Sequence, residues 1–264
     1  NIVKLEKGII GSSVELKYFG IELDQIQESA SALAVEFKNV WQVSKESVDT
    51  VTVLSKMTGI SAANMARLYR ILTVNWRMTD ASIKSFTETL RNKATVYGLS
   101  FSGIMQDISA NAENLSMWFQ GSVDSLQKAV VKAAQLQSSL STQVTIAEKF
   151  SHWADAIQNS FMLSAITGKS FNASFLYMNA ALGNSEAVVD NIMQGLESSV
   201  DTWTKIVPMA KQVSQTLGVP FEEIRTMMEN KTIEKMLAAV GVSGAQLGHG
   251  IKAVREMAGS KGKP

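Results

Sequence analysis

Proline is scarce in this chain: only Pro208, Pro220 and Pro264 occur among 264 residues. An average chain carries about 5% proline, so the share here is far below the ordinary one. Because proline lacks a backbone N–H and interrupts helices, a chain so poor in proline can form helix after helix. The hydrophobic fraction of 45% is ordinary, which argues against disorder. The composition therefore predicts an all-α fold.

A short sequence of the type residue–Gly–aliphatic–Ser or Pro occurs four times, at 58–61, 97–100, 217–220 and 240–243. Glycine just after a helix can adopt the left-handed conformation that ends it, and the aliphatic residue then packs back on the last turn. Serine is suited to cap the next helix, and proline to its first turn. The spacings of 39, 120 and 23 residues differ, so the pattern indicates a recurring joint between helices and no strict repeat.

Residues 21–58 show helical periodicity over about five heptads, with Ile26, Leu33 and Val40 recurring every seven positions. This pattern predicts one long amphipathic helix, which packs either in an ordinary bundle or as a coiled coil with other copies. The chain accordingly divides into four segments: an ambiguous segment 1–20 that could pair as a short strand, the long heptad-like helix 21–58, a multi-helix region 59–258, and a flexible tail or linker 259–264.

Charge and rare residues exclude several classes of function. The net charge of +1 excludes a nucleic-acid binder whose whole surface follows phosphates. Cysteine is absent and only two histidines occur, which excludes thiol catalysis, thiolate–zinc sites and a histidine-rich metal site but leaves an all-carboxylate site open. We expect no intact secretory signal and no ordinary membrane-spanning helix. Only eight charged residues lie between 94 and 168, so the helices of this region are expected to touch other protein.

Two local patterns are similar to binding motifs but have simpler explanations. Ile166-Thr167-Gly168-Lys169-Ser170 resembles the end of a phosphate-binding loop. Leu163 stands where the first glycine of that loop is required, so we expect a helical corner instead. The stretch from Leu54 to Arg70 is similar to a DNA-reading helix–turn–helix. Its second helix is crowded with alanine where base-contacting side chains are needed, so an ordinary helical corner is favoured.

Histidine and tryptophan give no catalytic pattern. His152 and Asp155 would share one face of a helix, but no nucleophile or third member accompanies them, so a capping or packing role is expected. His249 lies between two glycines and belongs to a loop. The tryptophans are expected to be packing anchors of helices rather than a cofactor or sugar platform. We therefore predict no catalytic, cofactor-binding or metal-binding residue, and no cofactor.

Three stretches together point to a family. After the second corner the chain runs Asp107-Ile108-Ser109-Ala110-Asn111-Ala112, and further on it runs Thr167-Gly168-Lys169-Ser170-Phe171-Asn172 and then Ala180-Ala181-Leu182-Gly183-Asn184. With the recurring corners, these stretches resemble the tape measure proteins of tailed bacteriophages over roughly residues 50–240. Similar segments of that family contain Thr-Gly-Lys, two residues and Asn, and later a small–Leu–x–Gly–Asp element. Asn184 replaces the usual Asp.

The resemblance implies an α-helical structural protein without enzymatic activity, of which this chain is one segment. Proteins of this family lie in the tail lumen in a few copies, set tail length during assembly, contact the baseplate or tail-tip hub, and leave ahead of the DNA. The resemblance thus implies a virion location in the tail tube lumen or tail tip, and a homo-oligomer of about three copies. It implies no sequence-specific nucleic acid, and membrane contact only at infection. The start at Asn1 instead of Met fits a processed piece or a segment of a longer protein.

The alternative function is that of an α-helical membrane-active protein, such as a pore-forming toxin or a secretion translocator. Such a protein would use amphipathic helices and the apolar region 160–183 to enter a bilayer. Lys169 within that region and the lack of a spanning run argue against this alternative. An enzyme or regulator built on a helical scaffold is a third hypothesis, for which the sequence offers no site.

Overall fold

The protein is all-α, as predicted. The computed structural model describes residues 20–38, 43–97, 99–119, 122–200, 204–241, 250 and 253–254, and within these ranges it contains twelve α-helices and no strand. Apart from Gly20, the segment 1–20 with its expected strand lies outside the described residues, and so does the tail at 259–264.

The helices are numbered here in chain order. They are α1 Leu23–Phe37, α2 Lys45–Thr58, α3 Ala62–Arg70, α4 Asp80–Tyr97, α5 Phe101–Phe119, α6 Val123–Leu136, α7 Leu140–Glu148, α8 Trp153–Thr167, α9 Ala173–Ala181, α10 Ser185–Glu197, α11 Val207–Leu217 and α12 Phe221–Ala239. A π-helical turn, Ile71–Asn75, continues α3. The chain forms two compact units, residues 1–91 with 100–121 and residues 92–99 with 122–264.

The single long helix predicted over residues 21–58 is wrong. α1 ends at Phe37 because Lys38 adopts a left-handed conformation with a φ of 52°. A second helix, α2, then begins after Ser44, whose side chain accepts a hydrogen bond from the N–H of Ser47. The Ser47 hydroxyl in turn receives the N–H of Ser44 at 3.0 Å, which completes a capping box. Ser44 and Ser47 therefore start a new helix inside the predicted one.

The apolar seam of α1 and α2 is buried inside the first unit. Ile26, Leu33 and Val51 are fully buried, because α1 packs along α3 and both helices contact α2. An ion pair of 3.0 Å between Arg70 Nε and Glu36 Oε2 also joins α1 to α3. Of the two arrangements predicted for this helical stretch, the first unit has the bundle, in which Ile26, Leu33 and Val51 are covered by helices of the same chain.

Two of the four predicted joints are described in full, and both are confirmed. Gly59 ends α2 with a φ of 70°, and Gly218 ends α11 with a φ of 71°. The aliphatic residues that follow, Ile60 and Val219, are buried, which is the packing that such a helix end requires. Pro220 is the N-cap residue of α12 and so lies one position before the first helical turn expected for it.

The other two predicted joints are described only in part. Ser100 accepts a hydrogen bond of 3.1 Å from the N–H of Gly103 and so caps α5 as expected. Gly241 has a φ of 82°, in the left-handed region. Gly98 and residues 242–243 lie outside the described residues.

Helix α10 is the centre of the second unit. It contacts α6, α7, α9 and α12. Its large apolar side chains are all fully buried, namely Val188, Val189, Ile192, Met193 and Leu196. The hairpin of α8 and α9 packs onto this core from one side, since α9 contacts α10 and α8 contacts α11.

Candidate functional site

The sequence similar to a phosphate loop forms the end of a helix. Gly168, with a φ of 69°, ends α8, and its N–H bonds the carbonyl of Ser164 at 2.9 Å. The Thr167 hydroxyl donates to the carbonyl of Leu163 at 2.7 Å and accepts from the N–H of Lys169 at 3.2 Å. A phosphate loop directs free backbone N–H groups at its ligand. Here the N–H groups of Gly168 and Lys169 are instead bonded within the joint. The predicted helical corner is confirmed.

The rest of this joint starts α9. The Ser164 hydroxyl donates to the carbonyl of Ser160 at 2.7 Å and accepts from the N–H of Phe171 at 3.1 Å. The Asn172 side chain then accepts the N–H of Phe175 at 3.0 Å, as an N-cap does. The hydrogen bonds of Thr167, Lys169 and Asn172 thus all form the turn from α8 to α9.

The stretch from Ala180 to Asn184, the third of the family resemblance, forms the joint at the other end of α9. Gly183 has a φ of 72°, and the N–H of Asn184 bonds the carbonyl of Asn179 at 2.8 Å. The Asn184 side-chain oxygen accepts from the Ser125 hydroxyl at 3.4 Å, a contact to α6. Both quoted stretches of this region are therefore structural joints that place α9 on the second unit.

The arginines of the stretch similar to a DNA-reading motif are paired with carboxylates of the same unit. Arg67 Nη2 lies 2.6 Å from Glu113 Oε1, and Arg70 Nε lies 3.0 Å from Glu36 Oε2. The hydrogen bond and charge of Arg67 hold the pKa of Glu113 below its usual range. These pairs link α3 to α5 and to α1, so they have a structural explanation.

His152 is the exposed N-cap residue of α8, and its side chain makes no capping hydrogen bond. Its Nδ1 lies 3.1 Å from the Ser151 hydroxyl oxygen and 3.9 Å from Asp155 Oδ2, and both His152 and Asp155 are exposed. A Ser–His–Asp triad requires the serine and the carboxylate on different ring nitrogens, whereas both contacts here use Nδ1. Among the described residues, no three His, Asp or Glu side chains are grouped as a metal site would need.

A cleft of about 650 Å³ lies beside α12, with Met228, Ile233 and Met236 in its lining. Its charged lining groups are engaged in ion pairs. Glu197 pairs with Lys235, and Arg225 Nε lies 2.9 Å from Glu229 Oε1. The cleft therefore combines apolar side chains with charged groups that are already paired. Glu197, Arg225 and Glu229 are each held in an ion pair and are not free to act on a ligand.

The tryptophans do not all behave as predicted. Trp76 is buried, as expected of a packing anchor, while Trp41 and Trp203 lie outside the described residues. Trp153 instead begins a row of exposed apolar side chains on α8 that continues with Ile157 and Phe161. Because these three residues are spaced by four, they lie on one side of the helix.

The following helix, α9, exposes a second apolar row. It consists of Phe175 and Met178, together with Leu182 directly after the helix, and each of the six residues of the two rows has between 41% and 71% of its surface exposed. The rings of Trp153 and Tyr177 meet edge-on with centroids 5.4 Å apart, which joins α8 to α9. The six side chains of these two rows are called the α8–α9 apolar surface below.

The α8–α9 apolar surface is poor in charge. Between residues 153 and 182 the only charged side chains are Asp155 and Lys169. The inner sides of the two helices are also apolar, with Leu163 and Leu176 fully buried. A surface helix normally places charged residues opposite its buried stripe, so α8 and α9 depart from the pattern of a solvated hairpin. This surface is the candidate functional site.

A network of charges links three helices of the second unit. Lys132 Nζ on α6 lies 2.7 Å from Asp190 Oδ1 on α10, and Lys231 Nζ on α12 lies 2.9 Å from the same oxygen. Glu234 accepts a further contact of 3.4 Å from Lys132. Burial raises the pKa of Asp190, but the two lysines outweigh it, so this pKa lies below its usual range. Two cations and two anions thus tie α6, α10 and α12 together.

Comparison with known proteins gives no relative. No protein-family model matches the chain, and neither the curated proteins nor the solved structures provide a significant match. In the part of the chain that the structure describes, no helix is both long enough and apolar enough to cross a bilayer.

Proposed function

We propose that this chain is a non-enzymatic structural segment of a tail tape measure protein. It lies as a homo-oligomer in the tail lumen of a tailed bacteriophage and sets tail length during assembly. It contacts the tail tube and the tail-tip or baseplate hub, and it is released at DNA ejection. The observation that carries the proposal is the uncharged α8–α9 apolar surface, because a chain enclosed by protein needs apolar contact faces where a free surface carries charge.

The joints support the same proposal. The quoted stretches from Thr167 to Asn172 and from Ala180 to Asn184 resemble tape measure segments and form the two ends of α9. Their polar groups are used to turn the chain and to cap helices, as expected of motifs with a structural purpose. The elements that carry the resemblance thus also position the α8–α9 apolar surface.

The experiment is to locate the chain in phage particles. An antibody raised against the chain is used on tailed particles induced from the organism that encodes it. We expect the chain to copurify with intact tails, to be protected there from protease, and to be lost from tails after DNA ejection triggered in vitro. Its absence from purified tails, or its retention on the outer surface of emptied tails, would contradict the proposal. An antibody against the tail tube protein provides the control, since the tube stays after ejection.

A membrane-active role is the second candidate, and one observation favours it. Exposed Trp153 and Phe161 lie on a hairpin with almost no charge, which suits insertion into a membrane interface. This role predicts dye release from lipid vesicles that is abolished by Phe161→Glu and unaffected by Val35→Glu, a change at an exposed site on α1. Failure of the unaltered chain to bind or permeabilise vesicles would exclude it.

A further inference from the structure

We propose that the α8–α9 apolar surface is the contact between two copies of this chain, with α8 of one copy packed beside α8 of the next. This inference rests on the proposed function and names the partner of its surface. Trp153, Ile157 and Phe161 are the residues of α8 that make the contact. It is extended by Phe175 and Met178 of α9 and by Leu182, the C-cap residue of α9.

The area of the surface fits a contact between copies. With about half of each side chain exposed and about 200 Å² for each, the six residues present roughly 600 Å² of apolar area. The largest apolar patch of a typical monomer is about 300–600 Å². A stable interface buries about 800 Å² on each partner, and the polar residues at its rim supply part of that area. The apolar part of such an interface is therefore already present on one copy.

The chemistry of the surface favours a copy of itself. A row at i, i+4 and i+8 forms a ridge that packs into the groove beside the equivalent row of another helix. Ala154 and Ala165 are exposed next to this ridge on α8, and their small side chains allow the helices to approach closely. Because none of the six side chains is charged, two copies meet without like-charge repulsion at the contact.

The first experiment measures self-association of the full chain by light scattering over a range of concentrations. We expect the unaltered chain to associate and Phe161→Glu to raise the Kd at least tenfold, since the variant buries an unpaired charge. Val35→Glu is the matched control, because Val35 is 74% exposed on α1 and Phe161 is 71% exposed on α8. The control should leave the Kd unchanged. Circular dichroism establishes that both variants are folded.

The second experiment uses the absence of cysteine from the chain. Single cysteines are introduced as Ile157→Cys, Phe161→Cys and, as control, Val35→Cys, and the proteins are oxidised mildly. Because a disulfide requires Cα atoms within about 7 Å, at least one of the two α8 variants should cross-link readily into dimers, and the control should not. This measurement needs no destabilising charge.

Several outcomes would overturn the inference. These are an unaltered chain that stays monomeric at all concentrations, association that Phe161→Glu leaves intact, or a chain that binds vesicles through this surface while remaining monomeric. Failure of the proposed function is distinguishable from these. Association through α8 by a chain absent from phage tails would refute the tail role and keep the contact. A monomeric chain recovered from tails would refute the contact and keep the tail role.

Discussion

The ring of Phe171 lies directly against the backbone of Gly195: a Cβ atom placed on Gly195 would be only 2.4 Å from Cζ of Phe171. Phe171 belongs to the joint between α8 and α9 and is 7% exposed, and Gly195 lies on α10. This contact seats the hairpin on the central helix of the second unit. Glycine is required at 195 by packing, because any side chain there would displace the ring.

We predict that Gly195→Ala destabilises the second unit. Alanine in a helix is ordinarily more stabilising than glycine by about 0.5–1 kcal/mol, but overpacking here should reverse the sign and cost about 1–3 kcal/mol. Urea unfolding measures the difference. Gly103→Ala on α5 is the control, because its added Cβ would lie 3.5 Å from the Ser100 side chain, an ordinary contact, and it should be neutral or stabilising. Stabilisation by both changes would show that Phe171 moves without cost.

We predict that Leu33→Asp unfolds or strongly destabilises the first unit, while Val35→Asp does not. Leu33 is a fully buried residue of α1, on the side that packs against the neighbouring helices. An unpaired charge at such a site costs several kcal/mol. Val35 lies two residues further along the same helix and is exposed. Thermal melting followed by circular dichroism separates the two variants. Equal melting temperatures would mean that α1 does not pack as the structure has it.

We predict a small backbone effect at the joint after α2. Gly59 has a φ of 70°, and an added Cβ would have no atom within 4 Å, so strain is the only expected penalty. Gly59→Ala should cost about 1 kcal/mol. Gly59→Asn should cost less, since asparagine tolerates the left-handed region. The free energy of unfolding by urea distinguishes these values, and a larger loss for asparagine than for alanine would contradict the conformational explanation.

The joints could be predicted from the sequence because they depend on local preferences. Gly59 and Gly218 combine a residue that tolerates positive φ with a following aliphatic residue, and the structure has helix ends at both. The end of α1 could not be predicted in this way. Lys38 is left-handed without being glycine, and only the Ser44–Ser47 capping box marks the new helix. The heptad periodicity continues across the break between Phe37 and Lys45 and therefore predicts one helix over 21–58.

The α8–α9 apolar surface could not be predicted from the sequence for a different reason. The row of Trp153, Ile157 and Phe161 and the stripe with Ala156 and Leu163 both have helical spacing. Which of the two is buried depends on the packing of α9, α10 and α11, which no local pattern encodes. Two sequence signals cover this region, the low charge from 94 to 168 and the apolar stretch 160–183, and neither locates the exposed side of the helices.

Glu186 is a half-buried carboxylate in the first turn of α10. Burial raises the pKa of Glu186 above its usual range, and its Oε2 is buried without a hydrogen-bond partner. A carboxyl group whose pKa is higher in the folded than in the unfolded state takes up its proton in the folded state first. Folding stability therefore falls as the pH rises through the folded pKa and recovers as the pH is lowered.

We accordingly expect Glu186→Gln to melt at a higher temperature than the unaltered chain at neutral pH. The difference should shrink as the pH falls towards about 4.3, the ordinary pKa of glutamate. Calorimetry at a series of pH values measures it. Glu28→Gln, at an exposed position of α1, is the control and should follow the unaltered chain at every pH. A Glu186→Gln variant that is less stable at neutral pH, or whose advantage persists in acid, would mean that the ionised carboxylate is favourable in the fold.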